Sequence, residues 1–370
     1  MPPPSGGGGK RPLKPVARPL RVGILFGGRS AEHEVSIVSA QGVMAAIDEE
    51  RFRVAPLGVT KDGAWLTPQE TQAALAAIKA ERMASLSGSP AASGIRPEVL
   101  GALRELDVVF PLVHGTFGED GSLQGLLEML NLPYVGAGVA ASAVGMDKAL
   151  QQMILRQAGL PVPQSLVVTA SRWQEEGPAL AREVGRQLGY PCFVKPANSG
   201  SSIGTSKVRS REDLASAMAE AFRYDRKALI EQAIEGRQVE CSVLGNDRPQ
   251  ASPLGEIVFT REFYDYIAKY EDPTTRLIIP AELPPDVAHG LQAMAIAAFQ
   301  AVDCAGMGRI DFFLASDGQP YVNEINTIPG FTPVSMYPKL WEAAGLSYRD
   351  LITRLIELGL ERHQEKQRRV

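Results

Sequence analysis

Short apolar runs alternate with amphipathic stretches in the first part of the chain. Three of these runs predict buried strands, at residues 21–26, 53–59 and 106–113. Residues 121–130 have the period of a helix, and Ser30, which follows a Gly27-Gly28 turn, is expected to cap the helix after the first strand. Strands that alternate with helices predict a parallel, doubly wound sheet over roughly residues 20–140.

The middle of the chain has a different pattern, with shorter strands between long helices. Helices are predicted over residues 147–160 and 172–188. Short apolar runs predict four strands, at residues 166–169, 192–195, 206–208 and 228–231. A final amphipathic pattern over residues 348–360 predicts the helix that closes the chain.

Two features mark the region between residues 236 and 325. The polar, aromatic segment 260–276 has no clear period and is too long for a simple connection, so we interpret it as a functional loop. Residues 307–314 and 320–326 flank Ser316-Asp317-Gly318, which is a strong signal for a β-hairpin.

Length and charge narrow the possible classes of protein. The chain has 370 residues, and at about 150 residues per domain this indicates two or three domains. The formal net charge of −4 gives no bulk reason to expect nucleic acid or a membrane as a partner.

No apolar run approaches about 20 residues, so we predict no transmembrane helix. Residues 1–19 combine Pro, Gly and four positive charges without an acid, so we predict a disordered tail.

The three cysteines, Cys192, Cys241 and Cys304, form no CxxC motif. Their odd number and their spacing fit neither a disulfide framework nor a zinc site. We therefore expect the protein to work in a reducing cytoplasm.

The segment FVKPANSGSSIG (193–204) is the first candidate for chemistry. It is a strand that ends in Lys195 and runs into a loop of Gly and Ser. Small residues let backbone N–H groups approach an anion closely, and the hydroxyls add donors. The loop is not a Walker A motif, and an ordinary turn is the alternative interpretation.

The predicted hairpin carries a second candidate. Side chains of a strand alternate between faces, so Arg309 and Asp311 share one face, and Glu324 and Asn326 share a face of the partner strand. Hard oxygen ligands of this kind suit Mg²⁺ when nucleotide phosphates complete its shell. A solvated face with ordinary charge pairs is the alternative, but the apolar residues between these positions favour a metal site.

Other candidates are weaker when each is taken alone. Lys148 begins a predicted helix, and Glu231 ends an apolar strand from which it could meet an adenine edge. The aromatic segment 263–270 suits a lid that excludes water, or else an aromatic cluster that fixes a structural loop. His33 and His114 follow strands at the edge where open α/β sheets bind ligands, although a turn or a cap explains a lone histidine equally well.

Taken together, these segments resemble the ATP-grasp superfamily and, within it, the D-alanine–D-alanine ligase family. The resemblance covers about residues 20–360. Seven blocks occur in the family's order: FGGRSAEHEVS (26–36), HGTFGEDGSLQG (114–125), MDK (146–148), FVKPANSGSSIG (193–204), FYDYIAKY (263–270), GRIDFF (308–313) and NEINTIPGFTPVSM (323–336).

The resemblance implies an α/β (α+β) ATP-grasp fold with an N-terminal doubly wound parallel-sheet domain. We expect a Rossmann-like domain over residues 20–142 and a central ATP-grasp subdomain over 143–234. A C-terminal subdomain over 235–370 would carry the lid 260–276. The implied activity joins two D-alanines through an acyl phosphate, with ATP as co-substrate, for peptidoglycan precursor synthesis. The resemblance also implies a cytoplasmic homodimer.

The resemblance assigns roles at the amino-acid subsites. Glu32 would hold the ammonium of the first D-alanine, and Ser201, linked to Glu32 and Tyr270, would position the second. His114 would line the first subsite. The second carboxylate would be received by three further groups, namely Lys269, Ser335 and the N–H of Met336.

The remaining roles concern ATP, metal and the developing oxyanion. ATP would be contacted by residues of the central and C-terminal subdomains: Lys148, Lys195, Ser202, Glu231 and Gln238. Two Mg²⁺ ions, with Mn²⁺ as a substitute, would be held by Asp311, Glu324 and Asn326. Arg309 and the backbone N–H of Gly330 would form the oxyanion site.

The sequence departs from the family pattern at one ATP contact. Gln238 stands where the family often carries an acid to the ribose, and Glu240 is a second candidate for that contact. Lys269-Tyr270 is intact, whereas lactate-forming relatives often replace that tyrosine. This favours D-alanine over D-lactate or D-serine as second substrate. A nucleotide-binding module without catalysis is a further alternative, against which the Arg309 and metal residues argue.

Overall fold

The computed structural model describes residues 18–81, 85–86, 94–259 and 274–369. Most of the predicted tail and of the segment 260–276 lies outside these ranges, including Lys269 and Tyr270. All helices, strands and contacts named below lie within these ranges.

The first sheet is parallel, as predicted. It consists of β1 (Leu20–Gly27), β2 (Phe52–Val59) and β3 (Val108–Pro111) in the order β2-β1-β3. Four helices accompany it: α1 (His33–Ala46), α2 (Pro68–Glu81), α3 (Pro97–Arg104) and α4 (Ser122–Met129). The turn after β1 uses Gly27 and Gly28 at positive φ, and a Cβ on Gly27 would lie 2.1 Å from the carbonyl oxygen of Val59.

The predicted Ser30 cap is wrong. Helix α1 begins at His33 with Glu32 at the capping position and no side-chain cap. The Ser30 hydroxyl instead accepts the Glu32 N–H at 3.2 Å. The serine therefore orders the turn before the helix. Ala31 and Glu32 still belong to that turn, and the helix begins after them.

The second sheet is antiparallel and has four strands. They are β4 (Ser165–Thr169), β5 (Cys192–Pro196), β6 (Ser206–Val208) and β7 (Lys227–Gln232), in the order β4-β7-β5-β6. The helices of this region are α5 (Val139–Met146), α6 (Lys148–Gln157), α7 (Ala170–Gln187) and α8 (Leu214–Ala221). Asp147 caps α6 by accepting the N–H groups of Ala149 and Leu150, each at 3.1 Å.

The third sheet contains the predicted hairpin. Its strands are β8 (Gly236–Gly245), β9 (Gln250–Val258), β10 (Arg276–Ile278), β11 (Gly306–Ala315) and β12 (Pro320–Asn326), all antiparallel, in the order β10-β9-β8-β11-β12. Three helices complete the chain: α9 (Pro285–Ala301), α10 (Met336–Ala343) and α11 (Tyr348–Gln367).

The last helix is longer than predicted and returns to the first sheet. Leu351 and Leu355 of α11 share one core with Val22 of β1. Beyond residue 360, Arg362 donates to the carbonyl of Gly136 at 2.6 Å and lies over the ring of Tyr134. These distant partners stabilise the extra turns, which the local pattern could not show.

Each predicted domain range contains one of the three sheets. The helix α5 crosses the predicted boundary at residue 142, and α11 packs on the first core although it lies in the third range. The boundaries themselves stay predictions.

Two further expectations can be compared with the described residues. Cys192, Cys241 and Cys304 are all buried and free. No helix in the described ranges has the length and apolar character needed to cross a membrane.

His33, the first residue of α1, has a structural role in the N-terminal region. Its Nδ1 lies 2.7 Å from the carbonyl oxygen of Gly28, and its Nε2 accepts the N–H of Leu86 at 3.1 Å. A carbonyl only accepts, so Nδ1 carries the proton and the ring is neutral. Burial lowers the pKa of His33 below its ordinary value.

We predict that acid destabilises the protein through His33. A lowered pKa means that the stabilisation is present above about pH 6.5 and is lost as the pH falls below it, because protonation puts a second donor against the Leu86 N–H. Urea denaturation at about pH 7.5 and pH 5.5 should show a smaller fall in the free energy of unfolding for His33→Gln than for the wild type, by about 1 kcal/mol. The exposed His289 gives the control His289→Gln, which should keep the wild-type pH dependence. An unchanged pH dependence in His33→Gln would contradict this role.

Candidate active site

Two adjoining cavities lie between the three sheets. The first, of about 720 Å³, is lined by residues from the N-terminal region, the loop after β5, the third sheet and the segment after β12. The second, of about 500 Å³, is lined mainly by β5, β7, β8 and the hairpin. Five residues line both cavities: Lys148, Ser201, Glu240, Ile257 and Glu324. A molecule in one cavity therefore lies beside a molecule in the other.

The Ser and Gly loop after β5 is fixed by distant residues. Lys148 at the start of α6 donates from Nζ to the carbonyl oxygen of Ser199 at 2.5 Å. Ser201 and Ser202 have φ of 46° and 57°, a left-handed backbone that costs a non-glycine residue about 1 kcal/mol. Such strain persists where the surroundings fix the loop, and the Ile203 N–H closes this left-handed turn by donating to the carbonyl oxygen of Gly200 at 3.0 Å.

Ser201 joins the central loop to the N-terminal region. Its hydroxyl donates to Oε1 of Glu32, across 169 residues of sequence. Glu32 holds this place because it precedes α1 at the end of the glycine turn. The structure thus brings together two of the three residues that we expected to be linked, and the third, Tyr270, lies outside the described residues.

Lys195 and Glu231 form a buried pair in the second cavity. Nζ of Lys195 lies 2.5 Å from Oε1 of Glu231, and the Glu231 residue is 2% exposed. Gln152 of α6 donates to the other carboxylate oxygen at 2.6 Å. Lys195 and Glu231 were predicted as separate ATP contacts, whereas here the carboxylate also holds the lysine in place.

The hairpin presents its polar residues together. Arg309 pairs in register with Asn326, and Asp311 pairs with Glu324, while Ile310 and its neighbours on the other face are buried. Arg309 donates from Nε and Nη2 to the two oxygens of Asp311, at 2.7 and 2.8 Å. Asn326 donates to the same carboxylate at 3.1 Å. These residues form one cluster at the wall between the cavities.

Glu240 belongs to this cluster. It lies opposite Asp311 in the β8–β11 register, is 4% exposed, and has Oε2 at 3.0 Å from Nε of Arg309. Its position beside the arginine differs from the ribose contact considered from the sequence. The alternating pattern of β8 places Gln238 on the same face, and Gln238 lines the second cavity.

The metal prediction is compatible with the donor set of the hairpin. Among the described residues, no group of three His, Cys, Asp or Glu side chains is arranged to hold a metal ion by itself. Asp311, Glu324 and Asn326 provide oxygen donors, and Lys148 lies 3.6 Å from Glu324. Such an incomplete set suits Mg²⁺ that also binds phosphate oxygens and water.

His114 and Glu119 contact the segment that follows β12. Nδ1 of His114 lies 3.1 Å from the carbonyl oxygen of Ile328, and burial lowers the pKa of the ring. Glu119 accepts the Gly115 N–H at 2.6 Å and the Ile328 N–H at 3.3 Å. Burial, with the charge of Glu32 as a second cause, raises the pKa of Glu119 to about 8. Glu119 was not among the predicted site residues, although it lies within the matching block 114–125.

The first cavity is also lined by two predicted substrate contacts, Ser335 and Met336, and by the predicted oxyanion donor Gly330. Ser335 precedes α10, so the N–H of Met336 belongs to the first turn of that helix. The Ser335 hydroxyl accepts the Thr332 N–H at 3.1 Å. It also lies 3.1 Å from the point where a Cβ added to Gly330 would be. A helix N-terminus with its free N–H groups attracts a carboxylate.

Family models and curated relatives match this chain over most of its length. The models described as D-ala D-ala ligase N-terminus and D-ala D-ala ligase C-terminus match residues 21–137 and 154–357. A D-alanine–D-alanine ligase of Geobacillus thermodenitrificans (strain NG80-2) is 51% identical over 94% of this chain and 97% of its own. This chain belongs to the D-alanine–D-alanine ligase family.

Other members of the ligase family are similarly close. The D-alanine–D-alanine ligase A of Escherichia coli (strain K12) is 48% identical over 93% of this chain and 96% of its own. The solved D-alanine–D-alanine ligase of Coxiella burnetii has a TM-score of 0.80 and 40% identity, over 95% of this chain and 97% of that one. The VanG D-Ala:D-Ser ligase of Enterococcus faecalis has a TM-score of 0.79 and 33% identity, over 92% and 99%. The ATP-grasp fold expected from the sequence is thereby confirmed.

We predict that Glu231→Ala destabilises the protein by about 3 kcal/mol, because it leaves the largely buried Lys195 ammonium with only Asn323 at 3.5 Å and the Gln152 amide without its partner. Urea denaturation measures this loss. Glu176→Ala removes an exposed pair with Arg172 and should cost less than about 0.5 kcal/mol. Equal costs for the two variants would show that the Lys195 pair has no special role in stability.

Proposed function

We propose that this chain joins two D-alanine molecules into D-alanyl-D-alanine and converts ATP to ADP and phosphate. The observation that carries the proposal is the meeting of the two cavities. One is lined by Glu32, Arg309 and the start of α10, the other by Lys195, and both are lined by Lys148. An amino-acid carboxylate in the first cavity is thereby placed beside a nucleotide phosphate in the second. The relatives named above as D-alanine–D-alanine ligases support the choice of substrates.

The first step activates a carboxylate. An oxygen of the first D-alanine carboxylate attacks the γ-phosphorus of ATP, the bond to the β-phosphate oxygen breaks, and an acyl phosphate and ADP result. Phosphoryl transfer needs positioning and charge neutralisation more than covalent help. Lys148 and Lys195 supply positive charge, with the Ser201-Ser202 backbone over the phosphates, while Glu231 and Gln238 contact the adenosine.

We propose that Asp311, Glu324 and Asn326 hold two Mg²⁺ ions, for which Mn²⁺ substitutes. The ions supply charge neutralisation at the transferring phosphate. Arg309 donates one hydrogen bond to each oxygen of Asp311, and each carboxylate oxygen has two lone pairs, so a cation can bind there while the arginine stays in place. Glu240, with Oε2 at 3.0 Å from Nε, holds the arginine from the neighbouring strand.

The second step forms the peptide bond. The amine of the second D-alanine attacks the acyl carbon, and the tetrahedral intermediate expels phosphate. Arg309 and the N–H of Gly330 would stabilise the oxyanion, and Lys269, Ser335 and the Met336 N–H would receive the second carboxylate. Glu32 binds the first ammonium in the subsite lined by His114. Ser201, with Glu32 and Tyr270, positions the second amino acid.

An acyl phosphate hydrolyses in water, so the site must close during the reaction. We propose that residues 260–276 provide the lid, because this segment carries Lys269 and Tyr270 and is joined to β9 and β10 beside both cavities. We further propose that the enzyme is a cytoplasmic homodimer that serves peptidoglycan precursor synthesis.

Phosphate release from Mg-ATP tests the function. We expect release with D-alanine, none with L-alanine, no gain from added D-lactate or D-serine, and loss of release when EDTA removes the divalent cation. Release that requires D-serine or D-lactate would reassign the second substrate, for which the likeness to the D-Ala:D-Ser ligase gives a specific reason. ATP binding without release in any mixture would indicate a binding module.

We predict that Arg309→Ala lowers kcat by about 10²–10³-fold, because the oxyanion loses a donor. Steady-state kinetics with D-alanine measures the effect, and the thermal unfolding midpoint shows whether the variant is folded. Arg223→Ala removes an exposed arginine paired with Glu220 and should leave kcat unchanged. Near-normal kcat in Arg309→Ala would remove the arginine from this role.

A further inference from the structure

Both backbone polar groups of Ile328 are bound by side chains of one distant segment. Glu119 accepts the Ile328 N–H at 3.3 Å, and Nδ1 of His114 donates to the Ile328 carbonyl oxygen at 3.1 Å. The two side chains lie 209 and 214 residues away in sequence from Ile328. Glu119 is itself held by the N–H of Gly115 at 2.6 Å, so the contact joins the loop after β3 to the segment after β12.

Ile328, held through both of its backbone groups, limits the directions in which the Gly330 N–H can point. Pro329 follows Ile328, and its ring fixes φ near −65°. Between the bound Ile328 carbonyl and the Gly330 N–H, the only soft main-chain torsion is therefore ψ of Pro329. On the other side, Tyr348 donates from its hydroxyl to the carbonyl oxygen of Phe331 at 2.7 Å. Gly330 therefore lies between two residues whose main chain is hydrogen-bonded, Ile328 and Phe331.

We infer that Glu119 and His114 are positioning residues that hold Ile328 and thereby direct the N–H of Gly330 at the oxyanion. This inference rests on the proposed function, because that function gives the Gly330 N–H its task. His114 acts through Nδ1 on the main chain, in addition to lining the first subsite. Its Nε2 is buried, has no hydrogen-bond partner among the described residues, and is a separate group.

Hydrogen exchange tests the contact without any substrate. In the full chain, the amide of Ile328 should exchange slowly in the wild type and about tenfold faster in Glu119→Gln. The variant has one amide oxygen for two N–H donors and places an NH₂ group against one of them. Rapid exchange at Ile328 in the wild type, or no change in the variant, would overturn the inference.

Steady-state kinetics tests whether the contact between Glu119 and Ile328 affects catalysis. Glu119→Gln should lower kcat by about 10–100-fold, as small displacements of catalytic groups do, while the dissociation constant for ATP stays unchanged. A role in stability alone would leave kcat of the folded fraction at the wild-type value, and that result would overturn the inference.

Two substitutions of His114 separate its two nitrogens. The amide nitrogen of His114→Asn takes the place of Nδ1 and keeps the donor to Ile328, whereas His114→Gln places its amide near Nε2. We expect His114→Asn to retain at least about tenfold more of kcat than His114→Gln, and to keep Ile328 protected from exchange. The reverse order would show that contact with substrate through Nε2 matters and the main-chain contact does not.

Glu128→Gln is the matched control. Glu128 also accepts two hydrogen bonds, one from the nearby Tyr134 and one from Lys366 that joins the N-terminal region to α11, but it lies outside both cavities. In Glu128→Gln, kcat and the exchange rate of the Ile328 amide should equal the wild-type values. A loss of kcat as large as that in Glu119→Gln would overturn the inference. A wild-type enzyme that releases no phosphate would refute the proposed function, whereas exchange at Ile328 would still test the contact.

Discussion

Charged side chains at the meeting of the three sheets must find partners, and the rest of the site depends on this constraint. A charge taken out of water is costly unless it is paired and hydrogen-bonded. Here the partners come from different sheets or segments. Glu32 meets Ser201 across 169 residues, and Glu231 meets Lys195 across two strands of the central sheet. The first pair therefore fixes the N-terminal region to the loop after β5, and the second satisfies two opposite charges within the central sheet.

The same pairs keep the reactive groups in place before substrate arrives. Arg309 lies between Asp311 and Glu240, so its guanidinium is already oriented at the wall between the cavities. Preorganised donors of this kind lower the cost of stabilising charge in a transition state. The main chain is held in the same way, because Ile328 is bound through both its N–H and its carbonyl group.

Much of the fold follows from local sequence, and the pairing within the site does not. The hairpin was predictable because Ile310 and Phe312 alternate with polar residues and the Asp317-Gly318 turn joins the strands. The matching blocks also provided most of the candidate site residues. Glu119 has no local signal, since its partner lies 209 residues away. The last turns of α11 likewise depend on the contact of Arg362 with Tyr134.

The central claim is that this cleft activates a carboxylate by phosphorylation before the peptide bond forms. The most direct test uses D-alanine with ¹⁸O in both carboxylate oxygens and measures the isotope in the released phosphate by mass spectrometry. Because the bridging oxygen of the acyl phosphate leaves with phosphorus, the account predicts one ¹⁸O in each phosphate that is released. Phosphate without ¹⁸O, formed together with dipeptide, would contradict it.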